Sequence, residues 1–215
     1  MSFADRADAG RQLAARLRTM TLEDPVVLAL PRGGVPVACE VARALQAPLD
    51  LVLVRKIGAP MQPELAVAAI AEGPEEPVLQ IDEATLRISG TPREHVAHEV
   101  PVQLKEIERR RALYLRERAP LDLKGRTAVL VDDGIATGTT VRAAIRALRA
   151  RQPRRIVLAV PVAPPQELPS LRAEVDELVC LQAPEFFGAV GSHYRDFAQT
   201  SDEEVVAILD EFGRH

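Results

Sequence analysis

The sequence predicts an α/β fold, a mainly parallel twisted sheet with helices on both faces. Three observations carry that expectation. Short apolar runs alternate with amphipathic helical stretches along most of the chain. The run Ala128-Val-Leu-Val131 is apolar at every position, as a strand buried on both faces must be. Two Gly-containing loops, Pro31–Gly34 and Asp132–Thr140, each stand between a strand and a helix, where open α/β sheets bind ligands. No repeat, low-complexity segment or Gly/Ser-rich linker divides the 215 residues, so one domain over 1–215 is expected.

Taken in order, Asp5 to Met20 reads as an amphipathic helix, Val26 to Leu30 as a short buried strand and Val35 to Leu45 as the next helix. Leu51 to Val54 reads as a strand between Pro48 and Pro60. Ala66 to Ala71 and Pro77 to Ile81 read as two short strands around the turn Glu72-Gly-Pro-Glu-Glu76. A charged helix is expected from His95 to Arg118, with Pro101 as a kink or as its true start. Around it, residues 84–118 read as a helical insertion. After Ala128–Val131, the pattern Val141-Arg-Ala-Ala-Ile-Arg-Ala-Leu-Arg149 is a strong helix. Arg154 to Val162 and Glu174 to Leu181 are strands, and Asp202 to Phe212 closes as a helix capped by Thr200 or Ser201.

Composition narrows the function classes. The net charge of −4 argues against a general nucleic-acid binder. No apolar run reaches membrane-spanning length, and Met1 to Arg11 lacks an apolar signal core, so a cytoplasmic protein is expected. Cys39 and Cys180 lie far apart in apolar settings and read as buried free thiols. Only three lysines accompany 24 arginines and 17 prolines, a bias that a GC-rich genome or a hot habitat would each produce.

The segment Ala128-Val-Leu-Val-Asp-Asp-Gly-Ile-Ala-Thr-Gly-Thr-Thr140 carries the chemistry. Gly138 permits backbone angles that let consecutive amides point into one concavity. Thr137, Thr139 and Thr140 add hydroxyls, and the helix that follows adds free N–H groups and its positive dipole end. With Ala136 these make an anion cradle, best suited to a phosphate monoester. Asp132 and Asp133 would repel that phosphate. They suit sugar hydroxyls or a divalent cation. A ribose 5-phosphate fits both halves. Neither Gly-x-x-x-x-Gly-Lys-Ser/Thr nor Gly-x-Gly-x-x-Gly is present.

This segment resembles the ribose-phosphate motif of the type I phosphoribosyltransferases, which runs four apolar residues, two acids, two mostly apolar positions, a small residue, Thr, Gly, any residue and Thr. Gly134 departs from it, since the family usually has an aliphatic residue or Ser there. The resemblance implies the fold of that family with a small hood, built from the N-terminal helix, from residues 183–200, or from both. It implies transfer of a phosphoribosyl group from phosphoribosyl pyrophosphate (PRPP) to a nitrogen acceptor, a nucleobase by analogy, with pyrophosphate released. It implies Mg²⁺ carried by the donor, with Asp132 or Asp133 as its protein contact and no dedicated metal cluster. It admits a homodimer.

Three further constellations are then read in that light. In Ala29-Leu-Pro-Arg-Gly-Gly-Val-Pro-Val-Ala38, residues Arg32, Gly33 and Gly34 resemble the loop that holds the pyrophosphate; the plain alternative is a tight strand-to-helix turn. Arg55 and Lys56 are expected to end a strand beside the one before Arg32 and to point at the same diphosphate, Lys56 stabilising the leaving group. The alternative is a solvated basic pair. Gly58, Pro60 and Pro63 make an irregular, mobile lid the expectation for the next segment, and Glu64 is given no role. In Glu185-Phe-Phe-Gly-Ala-Val-Gly-Ser-His-Tyr-Arg-Asp-Phe197, Tyr194 is the expected stacking ring and Asp196 the acceptor from a ring N–H, against the alternative of a patch that seats the last helix. His193 reads as an exposed loop residue, and His95, His98 and His215 show no chemistry. A non-catalytic regulator that binds PRPP or a nucleotide on the same fold is the second reading.

Overall fold

The computed structural model describes residues 2–116 and 118–212. His215 lies outside them. The elements are α1 (Arg6–Leu17), β1 (Pro25–Ala29), α2 (Gly34–Leu45), β2 (Leu49–Leu51), β3 (Val54–Ala59), β4 (Gln62–Ala71) and β5 (Val78–Ile81). They continue with α3 (Glu83–Ile88), α4 (Arg93–Tyr114), β6 (Thr127–Val131), α5 (Thr139–Ala150), β7 (Arg155–Val162), α6 (Leu168–Glu174), β8 (Glu177–Gln182) and α7 (Asp202–Phe212).

Five strands form a parallel sheet in the order β2-β1-β6-β7-β8. Both faces are covered, which is why these strands read as unbroken apolar runs. One core lies under α1, α2 and α7 and includes Leu13, Val37, Val129, Val157 and Leu209. The other lies under α5 and α6 and includes Leu28, Leu130, Ile145, Leu158 and Leu171. The chain leaves β1 toward one edge and returns through β6 on the other side, so the sheet reverses direction between β1 and β6. The loops after these two strands therefore face each other across the switch point, where open α/β sheets form a crevice.

The region after β2 differs from the expectation. Leu51–Val54 is not one strand. The parallel pairing ends at Leu51, Val52 N still donates to Ala29 O at 3.0 Å, and β3 then leaves the sheet. Strands β3, β4 and β5 make a separate antiparallel sheet. Arg55 and Lys56 thus sit inside a ribbon, not at the end of a parallel strand. Gly58 to Glu64 is the tip of the β3–β4 hairpin rather than an irregular loop. The prolines are tolerated because the register shifts on both sides of Gly58 and because this end of the ribbon is open. Gly58 is required there, since a Cβ would lie 2.2 Å from the Pro63 carbonyl oxygen. The turn Glu72–Glu76 does join two antiparallel strands.

Helix α4 starts at Arg93, so Pro101 lies inside it and is not its start. His95 Nε2 contacts the Gly58 carbonyl oxygen at 2.9 Å, tying α4 to the hairpin. The short helix α6 was not anticipated; Pro164 and Pro165 just before it hide it, and Pro169 sits in its first turn, where a missing N–H costs little. At α7, Ser201 is the cap. Glu204 N donates to Ser201 Oγ at 3.1 Å and Ser201 N to Glu204 Oε2 at 2.7 Å, a reciprocal box.

Candidate active site

The loop after β6 turns into α5 at Gly138, whose φ of 74° is left-handed. Thr139 is buried at the helix start, with its Oγ1 3.2 Å from Thr137 Oγ1. Ala136 and Thr137 are exposed, and the first amides of α5 lack helical acceptors. Ala136, Thr137, Gly138, Thr139 and Thr140 therefore line one concave turn. Arg142, which sequence reasoning missed, holds it from behind. Its guanidinium donates to Thr137 O at 3.0 Å, to Glu167 Oε2 at 3.0 Å, to Ser170 Oγ at 2.7 Å and to Glu174 Oε1 at 2.9 Å. A Cβ on Gly138 would lie 2.6 Å from Arg142 Nη1, so Gly138 is needed for space as well as for φ. A cavity of about 440 Å³ opens beside this turn, between Thr137, Thr139, Arg142 and Gln80.

The acidic pair is largely, not fully, buried. Asp132 Oδ1 accepts from Asp133 N at 2.9 Å. Burial, and then the charge of Asp133, push the Asp132 carboxyl well above its ordinary range. Burial also raises Asp133, but Arg6 opposes it, with Nε 2.8 Å from Asp133 Oδ2. Arg6 favours the negative charge on Asp133 over Asp132. Tyr194 donates its hydroxyl to the Asp133 carbonyl oxygen.

The loop after β1 packs directly on this pair. A Cβ at Gly33 would fall 2.0 Å from Asp133 Oδ2, and one at Gly34 would fall 2.9 Å from the Val131 carbonyl oxygen. The two glycines thus let the loops after β1 and β6 touch. The Pro31–Arg32 peptide is cis. Arg32 Nη1 reaches Asp202 Oδ1 at 3.4 Å, and the Tyr114 hydroxyl donates to the same oxygen.

Adjacent strand residues point to opposite faces, and the ribbon separates Arg55 from Lys56 accordingly. Arg55 turns toward α4, where its Nε donates to Gln103 Oε1 at 3.1 Å, within electrostatic reach of Arg32. Lys56 pairs with Glu64 across the hairpin at 2.5 Å. Arg32 and Arg55 are brought together; Lys56 is not.

A hood forms where residues 3–4 pair with 193–196. Phe3 N donates to His193 O at 2.8 Å, Arg195 N to Phe3 O at 2.8 Å and Asp196 N to Ala4 O at 2.9 Å. The Tyr194 ring is only 6% exposed, 5.4 Å from Phe3 and 5.0 Å from Phe197. It is a buried prop under Asp133, not an open stacking platform. Asp196 Oδ1 accepts from Ala198 N at 3.0 Å. Phe186 is instead the open ring of this segment, at 93% exposure. His193 Nε2 meets the Phe187 carbonyl oxygen at 2.8 Å, a loop contact. Gly134 makes room for the hood, because a Cβ there would lie 2.6 Å from Val190 Cγ1. Arg6 had no local signal; its partners, Asp133, the Ala198 carbonyl oxygen at 2.6 Å and the Phe197 ring at 3.8 Å, are all distant in sequence.

Fold and loop geometry are those of open α/β proteins whose site lies at the switch point of the parallel sheet. The chain belongs to a particular family of these: the phosphoribosyl transferase domain matches residues 4–197. It is 50% identical over 210 residues, 97% of its length, to Rv0571c and MT0597 of Mycobacterium tuberculosis, whose names give phosphoribosyl transferase as a provisional assignment. The chain spans about half the length of these relatives, 46%. The crystal structure of TT1426 from Thermus thermophilus is 46% identical and superposes with a TM-score of 0.81 over 99% of each chain. The structure of AQ2163 from Aquifex aeolicus shares the fold at 13% identity, with a TM-score of 0.50 over 83% of this chain and 74% of that one. No helix among the described residues is long and apolar enough to cross a membrane.

Proposed function

We propose that this domain transfers the 5-phosphoribosyl group of PRPP to a nitrogen acceptor of the nucleobase class, in the cytoplasm, with release of pyrophosphate. The observation that carries the reading is the contact between the two loops at the switch point, where a hydroxyl-lined helix start, a largely buried acid pair and a Gly-Gly turn meet. The turn of Ala136 to Thr140 receives the 5-phosphate on the amides opening α5. Asp132 and Asp133 accept from the ribose hydroxyls. Arg32, Gly33, Gly34 and Arg55 receive the diphosphate, with Lys56 on the hairpin closing from the other side once it leaves Glu64.

The bond from the anomeric carbon to the diphosphate oxygen breaks as the acceptor nitrogen lone pair forms the new C–N bond, through an oxocarbenium-like state. The protein's share is to position the donor, neutralise the leaving group and exclude water. The acceptor's displaced proton goes to solvent. The carboxylates of Asp132 and Asp133 would hold a Mg²⁺ ion carried in by PRPP, which would supply charge neutralisation there. Among the described residues no cluster of three or more His, Cys, Asp or Glu side chains forms a metal cage. Phe186, not Tyr194, is the ring free to stack on an acceptor.

Pyrophosphate release from PRPP with Mg²⁺, measured across purines, pyrimidines and small amines, tests the reading. One acceptor that turns over supports it. PRPP binding without release for any acceptor favours the regulatory alternative, which the engagement of Asp133 by Arg6 and of Lys56 by Glu64 speaks for. Absence of PRPP binding overturns the transfer reading, and absence of nucleotide binding as well overturns the regulatory one.

A further inference from the structure

One face of α4, formed by Gln103, Glu106, Arg110 and Tyr114, links Arg55 to Arg32: Gln103 bonds Arg55 at one end, and the Tyr114 hydroxyl shares Asp202 with Arg32 at the other. Arg109 Nε and Arg110 Nε each bond Glu106, at 2.8 Å. Arg55 lies half-buried beside them, and its Nε is bonded to a neutral amide, Gln103. Among the described residues it makes no ion pair of its own. Burial first, and then the charge of Arg110, disfavour its charged form, with Arg109 and Arg32 acting in the same sense and Glu106 opposing. Arg32 shares Asp202 with the Tyr114 hydroxyl. Arg55, Arg110 and Arg32 therefore follow one helix face on which Glu106 and Asp202 are the bonded carboxylates. A half-buried cation crowded by like charges is costly unless an anion joins it. Guanidinium forks match phosphate oxygens in pairs, so the fitting anion is a polyphosphate.

We propose that Arg110 joins Arg32 and Arg55 as a ligand of the leaving diphosphate, so that α4 builds this site together with the loop after β1. The inference rests on the phosphoribosyl transfer reading and adds to it a wall from the helical insertion. It explains why the acids here are few and shared: Glu106 and Asp202 hold the forks apart and are outnumbered. A free polyphosphate effector has the same chemistry as the leaving group, and competition with the donor separates the two.

Calorimetric titration of the full chain with inorganic pyrophosphate and Mg²⁺, and separately with ribose 5-phosphate, tests it. Arg110→Gln is expected to weaken pyrophosphate binding by about tenfold or more, the worth of one charged hydrogen bond, and to leave ribose 5-phosphate within about twofold. Arg110→Lys recovers part of the loss. Glu106→Gln removes a competing charge from the helix surface and tightens pyrophosphate, an effect of opposite sign that misfolding does not imitate. Pyrophosphate should compete with PRPP in each protein. Unchanged pyrophosphate affinity in Arg110→Gln, or equal losses for both ligands, overturns the inference. Binding that depends on Arg110 but does not compete with PRPP also overturns it, in favour of a separate effector site. These titrations need no turnover, so their outcome is independent of whether any acceptor releases pyrophosphate.

Discussion

Asp133 and Arg6 stand 127 positions apart in the chain and 2.8 Å apart in space. The pair joins the hood to the acid that faces the ribose site in the proposed reading. Only 12% of the Arg6 side chain and 14% of the Asp133 side chain reach solvent, so each depends on the other for charge compensation.

Removal of either partner should have a distinct signature. Arg6→Ala leaves a largely buried carboxylate without its cation and should cost about 1–3 kcal/mol, read as a lower urea midpoint. Asp133→Asn should weaken PRPP binding by about tenfold or more, since a hydrogen bond to a charged group is worth about 1.5–3 kcal/mol. Unchanged donor affinity and rate in Asp133→Asn would remove the ribose assignment.

Asp132 should set a pH dependence of stability. Its folded pKa lies well above the ordinary 3.8, from burial and then from the charge of Asp133. The folded protein thus holds this proton more tightly than the unfolded chain does. The contribution is fully present below the ordinary value and is lost as pH rises through the raised one. Asp132→Asn keeps an oxygen for the Asp133 N–H and removes the largely buried charge. Its thermal midpoint at neutral pH should exceed the parent's, with a flatter pH profile. A midpoint at or below the parent's would show that the charge is compensated.

Gly134 and Val190 should be coupled. Gly134→Ala drives a methyl group into Val190 and should cost about 1–3 kcal/mol. Val190→Ala in the same chain should restore part of it, giving an interaction of at least about 0.5 kcal/mol in a double-mutant cycle. Additive losses in chemical denaturation would mean that the hood does not rest on this position.

The two aromatic positions of the hood should separate stability from acceptor recognition. Tyr194→Phe deletes the bond to the Asp133 carbonyl and should lower stability by about 1 kcal/mol while leaving the acceptor KM unchanged. Phe186→Ala should leave stability unchanged and raise the acceptor KM by about two- to tenfold, the worth of one aromatic contact. The opposite pattern would return Tyr194 to the acceptor site.

The hairpin tip offers a reading of closure. Met61 is 92% exposed at the turn of the β3–β4 hairpin. Limited proteolysis at Pro60 to Gln62 should slow when PRPP and Mg²⁺ are added. Equal cleavage rates would mean that the ribbon does not close over the donor.

What was legible in the sequence follows burial. Strands β1, β6 and β7 are covered on both faces, so their apolar runs announce them, and the acids, Thr and Gly of the β6 loop lie in one contiguous stretch. The ribbon was not legible because Gly58, Pro60 and Pro63 each argue locally against a strand, while bulges and an open end absorb them. Arg6 and Arg142 escaped notice because an arginine on a helix looks the same whether it faces water or a carbonyl oxygen across the fold. Tyr194 was expected to stack on the acceptor because of the family resemblance; packing against Phe3 and Phe197, which are distant or hidden in the local pattern, buries it instead.

The absence of room for a methyl group at Gly33 and Gly34 has a practical side. The loops after β1 and β6 interlock there, so random substitution at either glycine forces the two apart. Residues 183–189, with Phe186 turned to solvent, bear no such interlock. If the proposed reading holds, a library confined to that stretch would search for new acceptors and leave the proposed donor loops untouched.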